Sequence, residues 1–187
     1  MSAIPQSGPR LLTAEEYAGL PDDGCRTELV RGRIVYLNMP MPTHGYICAR
    51  IVRLVGNYVD DHDLGRVFSN DSGIITERHP DSVRGADVAF YSYNRLPRGP
   101  LPDAYPPLAP EVVFEVKSPS DSVKQMTVKA GEYLDAGVLQ VCLVDPSIQR
   151  VSVLSVNAEP FSLKEKELLT FPGTIPGLEI PILKIFL

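Results

Sequence analysis

The chain has 187 residues, enough for one domain with a sizeable core and short of the length at which two are expected. Hydrophobic residues make up 44% and charged residues 22%, an ordinary globular mix that excludes a disordered or fibrous chain. The formal net charge is −5 and neither half of the chain is basic, so any contact with nucleic acid has to come from a local patch, a metal ion or an oligomer.

Residues 1–10 hold two prolines, a glycine and two serines and are expected to be a flexible N-terminus, with one domain over 11–187. Thr13 is a candidate N-cap, and Glu16 three residues on completes a capping box, so a short helix should start at residue 14 and end at Pro21-Asp22-Asp23-Gly24. Residues 27–30 and 33–37 read as a hairpin around Arg31-Gly32, with glycine at a positive-φ position of the turn. Over residues 44–61, Ile47, Ile51, Leu54, Val55, Tyr58 and Val59 recur at helical spacing, with Arg50, Arg53 and Asn57 opposite. Strands are expected at 66–68, 72–76 and 87–91. Residues 92–110 carry six prolines and no periodicity, which predicts an ordered loop or an arm covering a sheet edge. A strand over 111–117 precedes a helix over 123–136, stopped by Gly137. Strands at 138–144 and 151–156 follow, joined through Asp145-Pro146, and the tail with Pro172, Pro176 and Pro181 should form short strands and turns. The order is that of an α/β (α+β) protein with a mixed sheet flanked by helices.

Cys25, Cys48 and Cys142 are odd in number and scattered, so they form neither a disulfide framework nor a Cys-x-x-Cys zinc site; all three are expected to be buried thiols. No basic segment followed by an apolar stretch opens the chain, and no apolar run approaches ~18 residues. The expectation is a cytoplasmic protein that does not enter a membrane.

The chemistry is concentrated in Val112-Val113-Phe114-Glu115-Val116-Lys117. Alternation along a strand sends Val112, Phe114 and Val116 one way and Val113, Glu115 and Lys117 the other. A carboxylate and an ammonium thus leave an otherwise apolar strand together, and buried charges are costly unless paired or used. Asp87 heads an earlier strand in Arg84-Gly85-Ala86-Asp87. If the two strands are neighbours, Asp87 and Glu115 converge on one cation, with the Val116 carbonyl as a further oxygen; Mg²⁺ favours such a hard donor set. Lys117 would then position the attacking water and offset charge at a scissile phosphate. The plainer alternatives are a Glu115–Lys117 salt bridge within one strand and a turn role for Asp87.

Asp87 followed by Glu115-Val116-Lys117 resembles the PD-(D/E)XK signature of restriction-endonuclease-like nucleases. Thr13-Ala14-Glu15-Glu16-Tyr17, Glu28-Leu29-Val30-Arg31-Gly32, Glu115-Val116-Lys117-Ser118-Pro119-Ser120, Lys129-Ala130-Gly131-Glu132-Tyr133, Ala136-Gly137-Val138 and Leu143-Val144-Asp145-Pro146 resemble, in this order, the Uma-type family of putative restriction endonucleases. Pro176-Gly177-Leu178 also fits, Ala86 stands where that family usually has proline, and Val141-Cys142 replaces a frequent aromatic pair. The resemblance implies a restriction-endonuclease-like core and an Mg²⁺- or Mn²⁺-dependent endonuclease acting on nucleic acid, DNA above RNA, with two-strand cleavage favouring a homodimer. It adds Glu28 as a further metal or water ligand, against a cross-strand partner for Arg33. It also adds Lys129, four residues before Tyr133, as an element flanking the active site, against an exposed lysine beside a core tyrosine. His44 would reach substrate phosphate, against a plain residue at a helix start. The competing functions are a catalytically inactive nucleic-acid-binding or assembly module of the same fold and a structural protein in which Glu115 and Lys117 are only an ion pair.

Overall fold

The computed structural model describes residues 10–187. Apart from Arg10, the stretch expected to be flexible lies outside the described residues. Helix α1 (Ala14–Ala18) opens with the expected capping box: Thr13 Oγ1 accepts from the Glu16 N–H and the Glu16 carboxylate accepts from the Thr13 N–H. Strands β1 (Thr27–Val30) and β2 (Arg33–Tyr36) form the hairpin, with Arg31 at φ 49° and Gly32 at φ 73°, the left-handed pair of a type I′ turn.

Helix α2 (Pro42–Asp61) buries Ile47, Ile51, Val55 and Val59, the stripe read from the sequence. β3 (Gly65–Glu77) is one long strand where two were expected, and β4 (Ser82–Ser92) starts five residues before Asp87. The reason is a bulge. The β3–β4 register shifts between Ser69 and Ser72, where Asn70 and Asp71 take positive φ, so the break in apolar alternation is a kink within one strand. Gly85 faces the kink, and a Cβ there would meet the Asp71 Cβ at 2.8 Å.

β5 (Val112–Val116) leads through α3 (Val123–Asp135) to β6 (Gln140–Asp145), which pairs parallel to β5. β7 (Arg150–Ser155) and β8 (Ala158–Lys164) continue antiparallel. β9 (Leu168–Phe171) and β10 (Ile175–Pro181) form a separate hairpin before the single-turn helix α4 (Leu183–Phe186), which the sequence reading did not anticipate. The large sheet runs β2-β1-β4-β5-β6-β7-β8, with β3 also on β4.

Val88, Phe90, Val112, Phe114 and Val116 pack on one face against α2, the β9–β10 hairpin and α4. Ala89, Tyr91, Val113 and Val141 face the other way, onto Ala130 and Tyr133 of α3 and Val138. Beyond Ser92, the last residue of β4, the proline-rich segment holds no helix or strand over residues 93–110. It is tied down by Arg95, which donates to the Ala109, Pro110 and Gly137 carbonyls, and by Leu96 in the second core. Of the three cysteines Cys142 is buried and Cys48 half-buried, but Cys25 is exposed, because it sits in the polar turn between α1 and β1 rather than under an apolar face.

Candidate active site

β4 and β5 pair Val88 with Phe114, Ala89 with Val113 and Phe90 with Val112. One step further along this register Asp87 comes opposite Glu115, where the ladder ends. Opposite residues of an antiparallel pair share a face. The Asp87 carboxylate takes over from the ladder there: its Oδ2 accepts the Val116 N–H at 2.7 Å and lies 3.2 Å from His44 Nε2. Among the described residues both contacts fall on Oδ2, which leaves Oδ1 as the oxygen available for another ligand.

Glu115 is buried and held from α3. Tyr133 donates its hydroxyl to Oε1 at 2.8 Å and Lys129 its ammonium to Oε2 at 2.9 Å. Ser122 and Gln125 set this helix in a reciprocal capping box, and the four-residue spacing puts Lys129 and Tyr133 on one face. Lys129 also reaches the Gly85 carbonyl at 2.9 Å and Glu28 Oε1 at 3.0 Å. Glu28 accepts from the Gly85 N–H at 3.0 Å and from Arg84 Nη1 at 2.8 Å, and Arg84 forks onto both oxygens of Glu132 at 2.6 and 2.8 Å. Two buried carboxylates, Glu115 and Glu28, thus share two cations, with Glu132 closing the network from outside.

Electrostatics follow from this crowding. Burial pushes the Glu115 carboxyl up to about 8; Asp87 adds to the rise, while Lys129 and Tyr133 oppose it. Burial would raise Glu28 too, yet Lys129 and Arg84 hold it below the usual carboxylate range. For Lys129 burial works against the charge, and Glu115 and Glu28 outweigh it, so the ammonium is held charged well above its ordinary range. The hydrogen bond to Asp87 raises His44 against the effect of burial.

The expected residues are placed as follows. Asp87, Glu115, Val116, Glu28, Lys129 and His44 line one cleft of about 750 Å³, together with Arg26, Tyr36 and Lys124. Glu28 pairs with Arg84 rather than Arg33, because the hairpin register sets Arg33 opposite Val30. Lys129 is part-buried in the network rather than an exposed lysine, and His44, although in the first turn of α2, is buried against Asp87. Lys117 is not brought to the carboxylates: β5 ends at Val116, and the Lys117 ammonium bonds Asp145 Oδ2 at 2.7 Å, so neither does it pair with Glu115. Arg84 and Glu132 were missed, since nothing local marks an arginine heading a strand as the partner of a helix 48 residues later. The hard oxygens of Asp87 and Glu115 suit a cation such as Mg²⁺ or Mn²⁺, and Lys129 lying among three oxygens shows a positive charge already accommodated beside them.

A mixed sheet whose two central strands open around acidic side chains, with helices on both faces, is the restriction-endonuclease-like fold, found in nucleases. The chain belongs to the Uma2 family, described as putative restriction endonuclease, which it matches over residues 14–183. Its fold is similar to the crystal structure of a putative nuclease belonging to DUF820 from Anabaena variabilis ATCC 29413, at a TM-score of 0.82 and 24% identity, covering 94% of this chain and 97% of that one. None of the curated proteins matches. No described helix is long and apolar enough to cross a membrane.

Proposed function

We propose that the protein is a Mg²⁺- or Mn²⁺-dependent endonuclease that hydrolyses DNA phosphodiester bonds in the cleft between α2, α3 and the β1–β2 hairpin. The observation that carries this reading is the placement of Asp87 and Glu115 opposite one another where β4 and β5 part. Asp87, Glu115 and the Val116 carbonyl would hold the cation, which when bound supplies Lewis-acid polarisation of the phosphate and of a water. Tyr133 and Lys129 fix the rotamer of Glu115, and Glu28 with Arg84 anchors Lys129. Lys117 positions the attacking water once it leaves Asp145; its four-carbon stem gives it that reach. Cleavage of both strands with one site per chain favours a homodimer.

A second reading is a catalytically inactive nucleic-acid-binding or assembly module of the same fold. The Lys117–Asp145 pair, which holds the ammonium off the acidic cluster, favours it. Plasmid cleavage separates the two. On the nuclease reading, Mn²⁺ supports nicking that EDTA and Glu115→Gln each abolish, and Lys117→Ala loses cleavage while keeping its Mn²⁺ affinity. Nicking by Glu115→Gln at the wild-type rate overturns the active-site assignment, and DNA binding without cleavage in every metal selects the second reading.

A further inference from the structure

We infer that His44, Cys48 and Asp87 form a second cation site, selective for a thiophilic divalent ion of the zinc type. His44 and Cys48 stand four residues apart on α2 and so share a face, with the His44 Nδ1 3.5 Å from the Cys48 Sγ. The same imidazole reaches across to the sheet, its Nε2 3.2 Å from Asp87 Oδ2. One ligand atom from each of the three residues lies within 4.8 Å of the others. A tetrahedral zinc ion, with bonds of about 2.3 Å to sulfur and about 2.0 Å to nitrogen and oxygen, keeps its ligands roughly 3.3–3.6 Å apart. Only one imidazole nitrogen can bind the ion, so the His44 ring must turn to bring that nitrogen, the Cys48 sulfur and an Asp87 oxygen from their present spacing of up to 4.8 Å to these distances.

The donor set decides the ion. Nitrogen, sulfur and oxygen together suit zinc and its neighbours, and magnesium does not take sulfur. The site is also open. His44, Cys48 and Asp87 line a second cleft, between α2 and the kink of β3 at Asn70 and Asp71, so an ion can enter and a water can complete its shell. Binding breaks the Cys48 S–H bond as the sulfur–metal bond forms. The proton leaves to solvent and no electrons are transferred.

A consequence concerns the other cation. Asp87 serves both donor sets, so an ion on His44 and Cys48 draws charge from the carboxylate whose other oxygen the catalytic cation would use, and repels that cation across it. This competition, though not the site itself, rests on the nuclease reading. A trace of zinc would then hold the enzyme off.

Cobalt reports on the site without reference to cleavage. One equivalent of Co²⁺ added to reduced, metal-free protein is expected to give a thiolate-to-cobalt charge-transfer band, erased by Zn²⁺ and untouched by Mg²⁺. The band should persist in Cys25→Ser and vanish in Cys48→Ser. In His44→Gln, where the thiol remains, Co²⁺ affinity should fall by roughly 10–100-fold or more. Under Mg²⁺, Cys48→Ser should cleave DNA as wild type does while losing sensitivity to Zn²⁺. Failure of the band to form in wild type, or its survival in Cys48→Ser, overturns the site and leaves the nuclease reading standing. A band in protein that never cleaves DNA supports the site and removes the nuclease reading.

Discussion

Replacing Lys129 with methionine keeps the bulk of the stem and removes the charge that bridges two buried carboxylates. In the native chain this ammonium sits 2.9 Å from Glu115, 3.0 Å from Glu28 and 2.9 Å from the Gly85 carbonyl, and its side chain is 22% exposed. Breaking a buried pair by removing one partner costs about 3–5 kcal/mol, because the other charge is left uncompensated. Here two are left, although Arg84 still neutralises Glu28. For a chain of this size each kcal/mol shifts the melting temperature by roughly 2–4 °C, so Lys129→Met should melt roughly 6–20 °C below wild type in EDTA at about pH 9, above the Glu115 value, where both carboxylates of the native protein are charged. A bound cation would replace part of the lost charge, so millimolar Mn²⁺ should raise the melting temperature of the variant more than that of wild type. Thermal melts of both proteins, each with EDTA and with Mn²⁺, read this directly. A variant as stable as wild type in EDTA would refute the view that Lys129 is what makes the buried carboxylates tolerable.

Two further outcomes follow from the scaffold. Asp81 accepts from the Ala14 and His79 N–H groups and from Arg78, and although burial works the other way these bonds hold its carboxyl below the usual range. Its contribution should therefore be present above about pH 4, the ordinary aspartate value, and be lost as pH falls through the depressed folded-state value; Asp81→Asn, followed by denaturant melts against pH, should flatten that acid limb. Gly85→Ala sets a methyl 2.8 Å from the Asp71 Cβ and 3.0 Å from its carbonyl, a clash expected to cost about 1–3 kcal/mol and to show as a lower urea midpoint at unchanged slope.

The parts of the fold that the sequence made legible are those specified by neighbours. The Thr13–Glu16 box, the Arg31-Gly32 turn, the apolar stripe of α2 and the alternation through Val112, Phe114 and Val116 all formed as read. The single β3 was not legible, because Asn70 and Asp71 look like a turn until β4 supplies the partner that makes them a bulge. Lys117 shows the same limit at the site. Alternation put it beside Glu115, but alternation holds only while the strand does, and β5 ends one residue earlier. The lysine at Glu115 comes from α3, 14 residues on, and its contact with Glu28 depends on β1 joining the sheet next to β4. Resemblance had marked both Glu28 and Lys129, and local spacing alone would have joined neither to the other.

The proposed nuclease site stands or falls on whether Asp87 and Glu115 share one cation. Crystals soaked in Mn²⁺ test it most directly, through the anomalous signal of the metal. One peak is expected between the two carboxylates, with metal–oxygen distances of roughly 2.0–2.3 Å, and its loss in Glu115→Gln. An anomalous map with no peak between Asp87 and Glu115 at saturating Mn²⁺ would contradict it.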